Sequence, residues 1–220
     1  MPHRLVPKSV IKRLPIYLRI LNQLITNDIE IMSSRELSMR TGFTAEQIRK
    51  DLAYFGAFGT RGTGYNTVFL RDKLLKIIGL DTQTKAVIVG AGHLGIAFTG
   101  YTIAKNPYID VIAIFDKSPD VIGEDIMNLE VMDVSCMEKV IKDNDVKISV
   151  ISVPAQQAQI IVDRLVECGI KAILNFAPVK INIPDGIYVH NVDLTNELQS
   201  LIYYSSAERE RLKRINHETS

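Results

Sequence analysis

Cysteine is scarce in this 220-residue chain: Cys136 and Cys168 are the only two. They are too few and too far apart to frame a zinc site or a disulfide scaffold, so reduced thiols are expected. Long apolar runs are lacking as well. Ala86 to Ala104 holds no Asp, Glu, Lys or Arg and so mimics a membrane span, but four glycines and His93 interrupt it. A buried strand, a turn and a helix account for it better. No apolar stretch follows the charges at Arg4, Lys8, Lys12 and Arg13, so no secretory leader is expected and the cytoplasm is the expected compartment. Of the four histidines, His3, His93, His190 and His217, none falls in a His/Asp or His/Lys constellation.

Net charge is nearly absent too, at +1, while hydrophobic residues make up 46%, which excludes a disordered chain. The total hides a division. Residues 1–80 hold 13 Lys and Arg against 6 Asp and Glu, a charge of +7. Residues 81–220 hold 13 against 19, a charge of −6. A basic third joined to an acidic remainder points to two domains with different partners. The expected division is 1–80, 81–193, and a C-terminal helix and tail at 194–220.

Three short helices are expected before residue 56. Leu14, Tyr17, Leu18, Leu21, Leu24 and Ile25 recur at helical spacing, with Pro15 near the helix start. Ser33 with Glu36 forms a capping box that opens a helix from Ser34 to about Arg40. Thr44 with Gln47 opens a third, through about Phe55, after a short turn at Thr41-Gly42-Phe43. A short helix, a tight turn and a following helix make a helix-turn-helix. Ile48, Leu52 and Phe55 should face the core, while Gln47, Lys50, Asp51 and Tyr54 project outward with Arg49 flanking. Such side chains suit phosphates and base edges in a major groove, although a plain solvated face has the same composition. The next segment favours DNA. Residues 56–65 carry four glycines, and Arg61 sits between Thr60 and Gly62 at the tip. A glycine hairpin after a recognition helix is the wing of a winged helix, and its Arg can enter a minor groove. The candidate DNA-contacting residues are therefore Ser34, Thr44, Gln47, Arg49, Lys50, Tyr54, Arg61, Gly62, Gly64 and Tyr65. Residues 68–80, with Val68, Phe69, Leu74, Leu75, Ile77 and Ile78, suggest one further amphipathic helix.

Ala86 to Val89 is a short apolar strand. It runs into Gly90-Ala91-Gly92-His93-Leu94-Gly95, a helical segment, and a second strand from Val111 to Phe115 that ends in Asp116. This is the complete dinucleotide fingerprint. Glycines permit the turn and close approach to a pyrophosphate, and the helix N-terminus supplies N–H donors. Asp116 suits ribose hydroxyls, which favours NAD(H) over NADP(H), with Lys117 beside it. Ser135 with Glu138 should cap a helix to about Lys142. A strand at Ile148–Val153 ends at Pro154, a helix runs from Ala155 to Cys168 with Gly169 closing it, and strands follow at Ile173–Phe176 and Ile187–Val192. The fold class is α/β: a winged helix followed by a doubly wound parallel sheet of Rossmann type. Ligands bind at the carboxyl ends of such strands, which places Val153, Pro154, Asn175, Ala177, Pro178 and Asp193 near the cofactor. No separate substrate domain is expected. Only 27 residues follow Asp193, read as a helix from Leu194 to Tyr204 and a charged tail. No catalytic residues and no metal ligands are expected. The uncovered apolar face of that helix suggests a homodimer contact. Two other readings share the sheet: a small NAD-dependent oxidoreductase with a helical arm, and a CoA-binding module.

The segments Arg49-Lys50-Asp51-Leu52-Ala53-Tyr54-Phe55-Gly56, Gly59-Thr60-Arg61-Gly62-Thr63-Gly64-Tyr65, Gly90 to Gly95, Gly169 to Pro178 and Asn191-Val192-Asp193-Leu194 resemble Rex, a family of redox-sensing transcriptional repressors. The resemblance runs over nearly the whole chain. It implies a homodimer that binds a palindromic operator when NAD⁺ dominates and releases it when NADH accumulates, with the C-terminal helix swapped between subunits. It also implies a switch. Arg19 matches a family Arg that pairs with the Asp at Asp193, and Tyr101 matches a Tyr that serves as the alternative partner. Leu194 stands where some members carry Phe beside the nicotinamide.

Overall fold

The computed structural model describes residues 6–60 and 62–218, with side chains through residue 206. Arg61 and His3 lie outside the described residues. The chain folds as two compact units, 1–82 and 83–220.

The first unit comprises α1 (Lys8–Thr26), β1 (Ile31–Met32), α2 (Ser34–Thr41), α3 (Ala45–Ala53), β2 (Gly59–Thr60), β3 (Gly64–Asn66) and α4 (Thr67–Ile78). The three strands form a small antiparallel sheet in the order β1-β3-β2. Its core gathers Leu14, Tyr17, Leu21 and Leu24 from α1, Leu37 from α2, Ile48 and Leu52 from α3, and Leu70 and Leu74 from α4. Both expected helix starts are present. The Ser33 hydroxyl accepts from Glu36 N while the Glu36 carboxylate accepts from Ser33 N, and the Thr44 hydroxyl accepts from Gln47 N.

Four expectations here need correction. Pro15 lies inside α1, because Val10 is also buried and extends the apolar stripe a turn earlier, to a start behind Pro7. The third helix stops at Ala53, and Phe55 packs on the core from the turn that follows. Asp51 does not project outward; it is buried and held by Arg13 and Tyr17. In α4 the buried positions are Thr67, Leu70 and Leu74, whereas Val68 and Phe69 are exposed.

The second unit comprises β4 (Thr84–Val89), α5 (His93–Lys105), β5 (Ile109–Asp116), β6 (Asp125–Ile126), β7 (Leu129–Asp133), α6 (Met137–Asp143), β8 (Ile148–Ile151), α7 (Ala155–Glu167), β9 (Ala172–Asn175), β10 (Tyr188–Asn191) and α8 (Leu194–Glu218). The sheet order is β10-β9-β8-β4-β5-β7-β6, parallel throughout except for β6. The order reverses between β4 and β8, which defines the switch point where doubly wound sheets bind ligands. Both faces of β4 are buried. Val87 and Val89 join Ile151 and Ile173 on one side, and Ile88 joins Ile114 and Val150 on the other. This explains why the strand reads as a continuous apolar run.

The β6–β7 hairpin was not foreseen; Met127 and Asn128 turn it with positive φ and no glycine. Ser135 and Glu138 form no capping box. Asp133 caps that turn by accepting from Ser135 N, and Glu138 instead pairs with Arg164 at 2.5 Å. The segment read as a charged tail continues α8 to Glu218. No helix among the described residues is long and apolar enough to cross a membrane.

Ser149, on β8, is fully buried, and its hydroxyl has no hydrogen-bond partner among the described residues. A buried unpaired hydroxyl costs about 1–3 kcal/mol of desolvation. Ser149→Ala should therefore raise stability by about 1 kcal/mol, read as an upward shift in chemical-denaturation midpoint; a destabilised variant would refute the assignment.

Candidate functional sites

The crevice at the switch point is built by the loop between β4 and α5. Gly90 takes φ +105, and a Cβ there would lie 2.6 Å from the Ser152 carbonyl. Gly90 N donates to Phe115 O, and the Ser152 hydroxyl donates to Gly90 O at 2.9 Å. Gly95 packs α5 against the same Gly90 carbonyl, leaving no room for a side chain. Gly92 differs from both. It is the N-cap of α5 at φ −74, and a Cβ there would meet nothing within 4 Å. No side-chain hydrogen bond caps α5 and no acid sits in its first turn, so its leading N–H groups face an open approach. That is the electrostatics an anionic diphosphate requires. Asp116 closes the crevice from β5. Its carboxylate accepts from Ala91 N at 2.6 Å and from the N–H groups of Lys117 and Ser118 at 2.7 and 2.9 Å. A carboxylate has about four acceptor positions, so one is left for a ligand hydroxyl.

A cleft of about 530 Å³ runs beside this loop, lined by Gly90, Gly92, Asp116, Lys117, Val153 and Pro154 among the expected residues. Ser152, Gln157, Ile160 and Arg164 also line it and were not foreseen. Ile160 is exposed, so α7 presents an apolar edge suited to a flat ring. Ala91 is buried, whereas His93 and Leu94 are exposed on the first turn of α5. Asn175, Ala177 and Pro178 lie outside the cleft lining. The Asn175 amide is fully buried, donating to Ala177 O, Val179 O and the Asn191 side chain and accepting from Ala177 N. Its polar atoms shape the loop after β9 instead of facing a ligand.

In the first unit, two concavities flank α3. One, of about 600 Å³, lies between α3 and the glycine hairpin and is lined by Ser34, Arg49, Gly62, Gly64 and Tyr65. Arg49 Nη1 donates to the Ser34 hydroxyl at 2.8 Å, which holds that cation at the edge. Tyr65 is buried and pairs across β1 and β2, so it braces the hairpin; burial raises its phenol above the ordinary range. Gly64 has φ +101 with the Met32 carbonyl against it, where no side chain fits. The other concavity, of about 410 Å³, is lined by Thr44, Gln47, Lys50 and Tyr54 together with Arg13, Asp51 and the start of α1. Lys50 forms an exposed i,i+4 pair with Glu46, which a phosphate can displace at little cost. The sequence reading gives Arg13 no role here and puts Asp51 on the outward face, because a charged residue beside an apolar stripe looks solvated.

Of the switch residues, Asp193 Oδ1 accepts from Asn196 N and so caps α8. Tyr101 and Leu194 are exposed at 67% and 54%, and Arg19 is exposed on α1. The apolar face of α8, with Leu198, Leu201 and Ile202, is uncovered.

A winged helix followed by a dinucleotide-type parallel sheet is the layout of a ligand-responsive DNA-binding regulator. The family model described as "Putative DNA-binding protein N-terminus" matches residues 5–53, and that described as "CoA binding domain" matches residues 81–179. A protein of Natranaerobius thermophilus named redox-sensing transcriptional repressor Rex is 58% identical over 202 residues, 92% of each chain. The crystal structure of RSP in complex with β-NAD⁺ and operator DNA is 42% identical, with a TM-score of 0.87 and coverage of 98% of this chain and 99% of that one. RSP in complex with β-NADH gives 41% identity and a TM-score of 0.83 over 96% and 99%. The chain belongs to the Rex family of redox-sensing transcriptional repressors.

Proposed function

We propose that this chain is a homodimeric, cytoplasmic repressor that binds a palindromic operator with NAD⁺ and releases it with NADH, and that it acts as a regulator without catalysing a reaction. The observation that carries the reading is the bare N-terminus of α5 behind Gly92, joined in one chain to a winged helix. RSP, which shares 42% of its sequence, has been crystallised with NAD⁺ and operator DNA and also with NADH.

The N–H groups of His93, Leu94 and Gly95 hold the diphosphate, and Asp116 accepts from a ribose hydroxyl and disfavours a 2′-phosphate. Oxidised nicotinamide is cationic and the reduced ring is neutral, so the ligand carries redox state as charge. Asp193 responds to that charge by exchanging Tyr101 for Arg19. This alters the subunit angle, and with it the separation of the two recognition helices, which must match about one turn of DNA or a multiple of it. The uncovered face of α8 supports a second copy of this chain, with the helix exchanged between subunits, and Leu194 closes the ligand site by van der Waals contact.

A mobility-shift assay on the operator duplex used with RSP, with titrated NAD⁺ and NADH, tests this. Complexes should persist in NAD⁺ and dissociate in NADH. Release by coenzyme A alone would favour a CoA-binding module, and reduction of a substrate without DNA binding would favour an oxidoreductase. Arg61→Ala should weaken operator binding and lower the slope of log affinity against log salt by about 1. An unaltered slope would remove Arg61 from the interface.

A further inference from the structure

We propose that Asp51 is a positioning residue for operator recognition, fixing the rotation of α3 about its own axis through Arg13 and Tyr17. The inference rests on the DNA-binding reading above.

α3 has only nine residues, too few to be stable alone. Its two deep anchors, Ile48 and Leu52, are spaced i,i+4 and lie along one line of the helix. Contact along a line resists sliding but leaves rolling soft. Asp51 stands about 100° around the helix from Leu52. It is 2% exposed, and both of its oxygens are bound by a helix 38 positions away in sequence. Arg13 Nε and Nη2 donate at 2.6 and 2.7 Å, and Tyr17 Oη donates at 2.6 Å. The donors are themselves braced. Tyr17 meets Phe43 edge-on at 5.9 Å, and the Arg13 guanidinium lies 5.7 Å from the same ring.

A buried ion pair is a weak source of stability, since desolvation offsets most of the attraction. An apolar pair could hold α3 as tightly. What the clasp adds is direction, because hydrogen bonds require near-linear donors. A roll of about 20° would carry an atom 6 Å from the helix axis through about 2 Å. That exceeds the hydrogen-bond window, so base-edge contacts from Gln47 or Arg49 would be lost. Contacts of flexible cations with phosphates would survive. The clasp therefore governs discrimination between sequences more than general DNA affinity.

The test uses the full-length chain with NAD⁺, the operator duplex of the RSP complex, and a scrambled duplex of equal length and composition. Arg13→Met combined with Asp51→Leu replaces the clasp by an apolar pair, and Tyr17→Phe removes one donor. Tyr17→Phe, at a residue that lines neither concavity beside α3, should keep the affinity of the unchanged chain for the scrambled duplex. The operator-to-scrambled ratio should fall about 10-fold in the double variant and about 3-fold in Tyr17→Phe. An unchanged ratio in either folded variant overturns the proposal, and Tyr17→Phe decides alone if the double variant does not fold. Failure of the unchanged chain to prefer the operator would instead overturn the DNA-binding reading.

Discussion

Gly92→Ala should fold and melt like the unchanged chain, yet bind NADH about 10- to 100-fold more weakly. The contrast lies three residues on. Gly95→Ala should cost about 3 kcal/mol of stability, because its methyl would press on the Gly90 carbonyl and the Ser152 hydroxyl. Both substitutions add one methyl group at the start of α5. At Gly92 the backbone is ordinary for any residue, with φ −74, and the space around a Cβ is open. Nothing in the fold requires glycine there, so the expected cost of a side chain falls on a ligand approaching the N-terminus of α5. At Gly95 the fold itself forbids a side chain. Calorimetry for stability and isothermal titration with NADH for binding separate the two. A Gly92→Ala variant with undiminished NADH affinity would displace the diphosphate from the α5 N-terminus.

The fingerprint was legible because each of its positions imposes a backbone condition that few residues meet. Gly90 needs positive φ, Gly95 needs no Cβ, and β4 needs a continuous apolar run to be buried on both faces. Where two solutions share one composition, the sequence was silent. The β6–β7 turn uses Met127 and Asn128 with positive φ, so no glycine announces it. Ser135 and Glu138 have capping-box spacing, but Asp133 reaches Ser135 N first, and Arg164 draws Glu138 away from it from 26 positions on. Asn175 looks like a ligand contact because it ends a strand at the binding edge, and only its four hydrogen bonds show it spent on its own loop. Asp51 was the largest misplacement. Burial alone would push its carboxyl up, but hydrogen bonds from Arg13 and Tyr17 hold it below the usual range, so it is ionised inside the core. That balance depends on partners 34 and 38 positions away, which periodicity in α3 cannot reveal.

The charge division has a physical use within the proposed function. The basic unit supplies the sequence-independent attraction to DNA, and the acidic unit is repelled by the same phosphates. Near-neutral net charge is then the sum of a reader and a sensor, each keeping to its own partner.

Replacing Asp193 should uncouple ligand from operator. NADH must bind the DNA-released state more tightly than the DNA-bound state for any release to occur, and typical coupling of this kind is about 5- to 150-fold. Asp193→Ala should retain NADH binding while the NADH-driven loss of operator affinity shrinks toward unity. The alanine variant alone is ambiguous, because Asp193 also accepts from Asn196 N and caps α8, and losing such a cap costs about 1 kcal/mol. Asn is as good a cap as Asp but carries no charge. Asp193→Asn should therefore preserve α8 and dimerisation and still blunt the response to NADH, since an amide has no charge with which to exchange an ion pair to Arg19 for a hydrogen bond to Tyr101. Mobility shifts across an NADH titration, with sedimentation to follow the dimer, read both properties. If Asp193→Asn responded normally while Asp193→Ala did not, the residue would act as a helix cap and the charge switch would be abandoned. If both variants bound the operator but ignored NADH, the carboxylate charge would be the element through which redox state reaches the DNA.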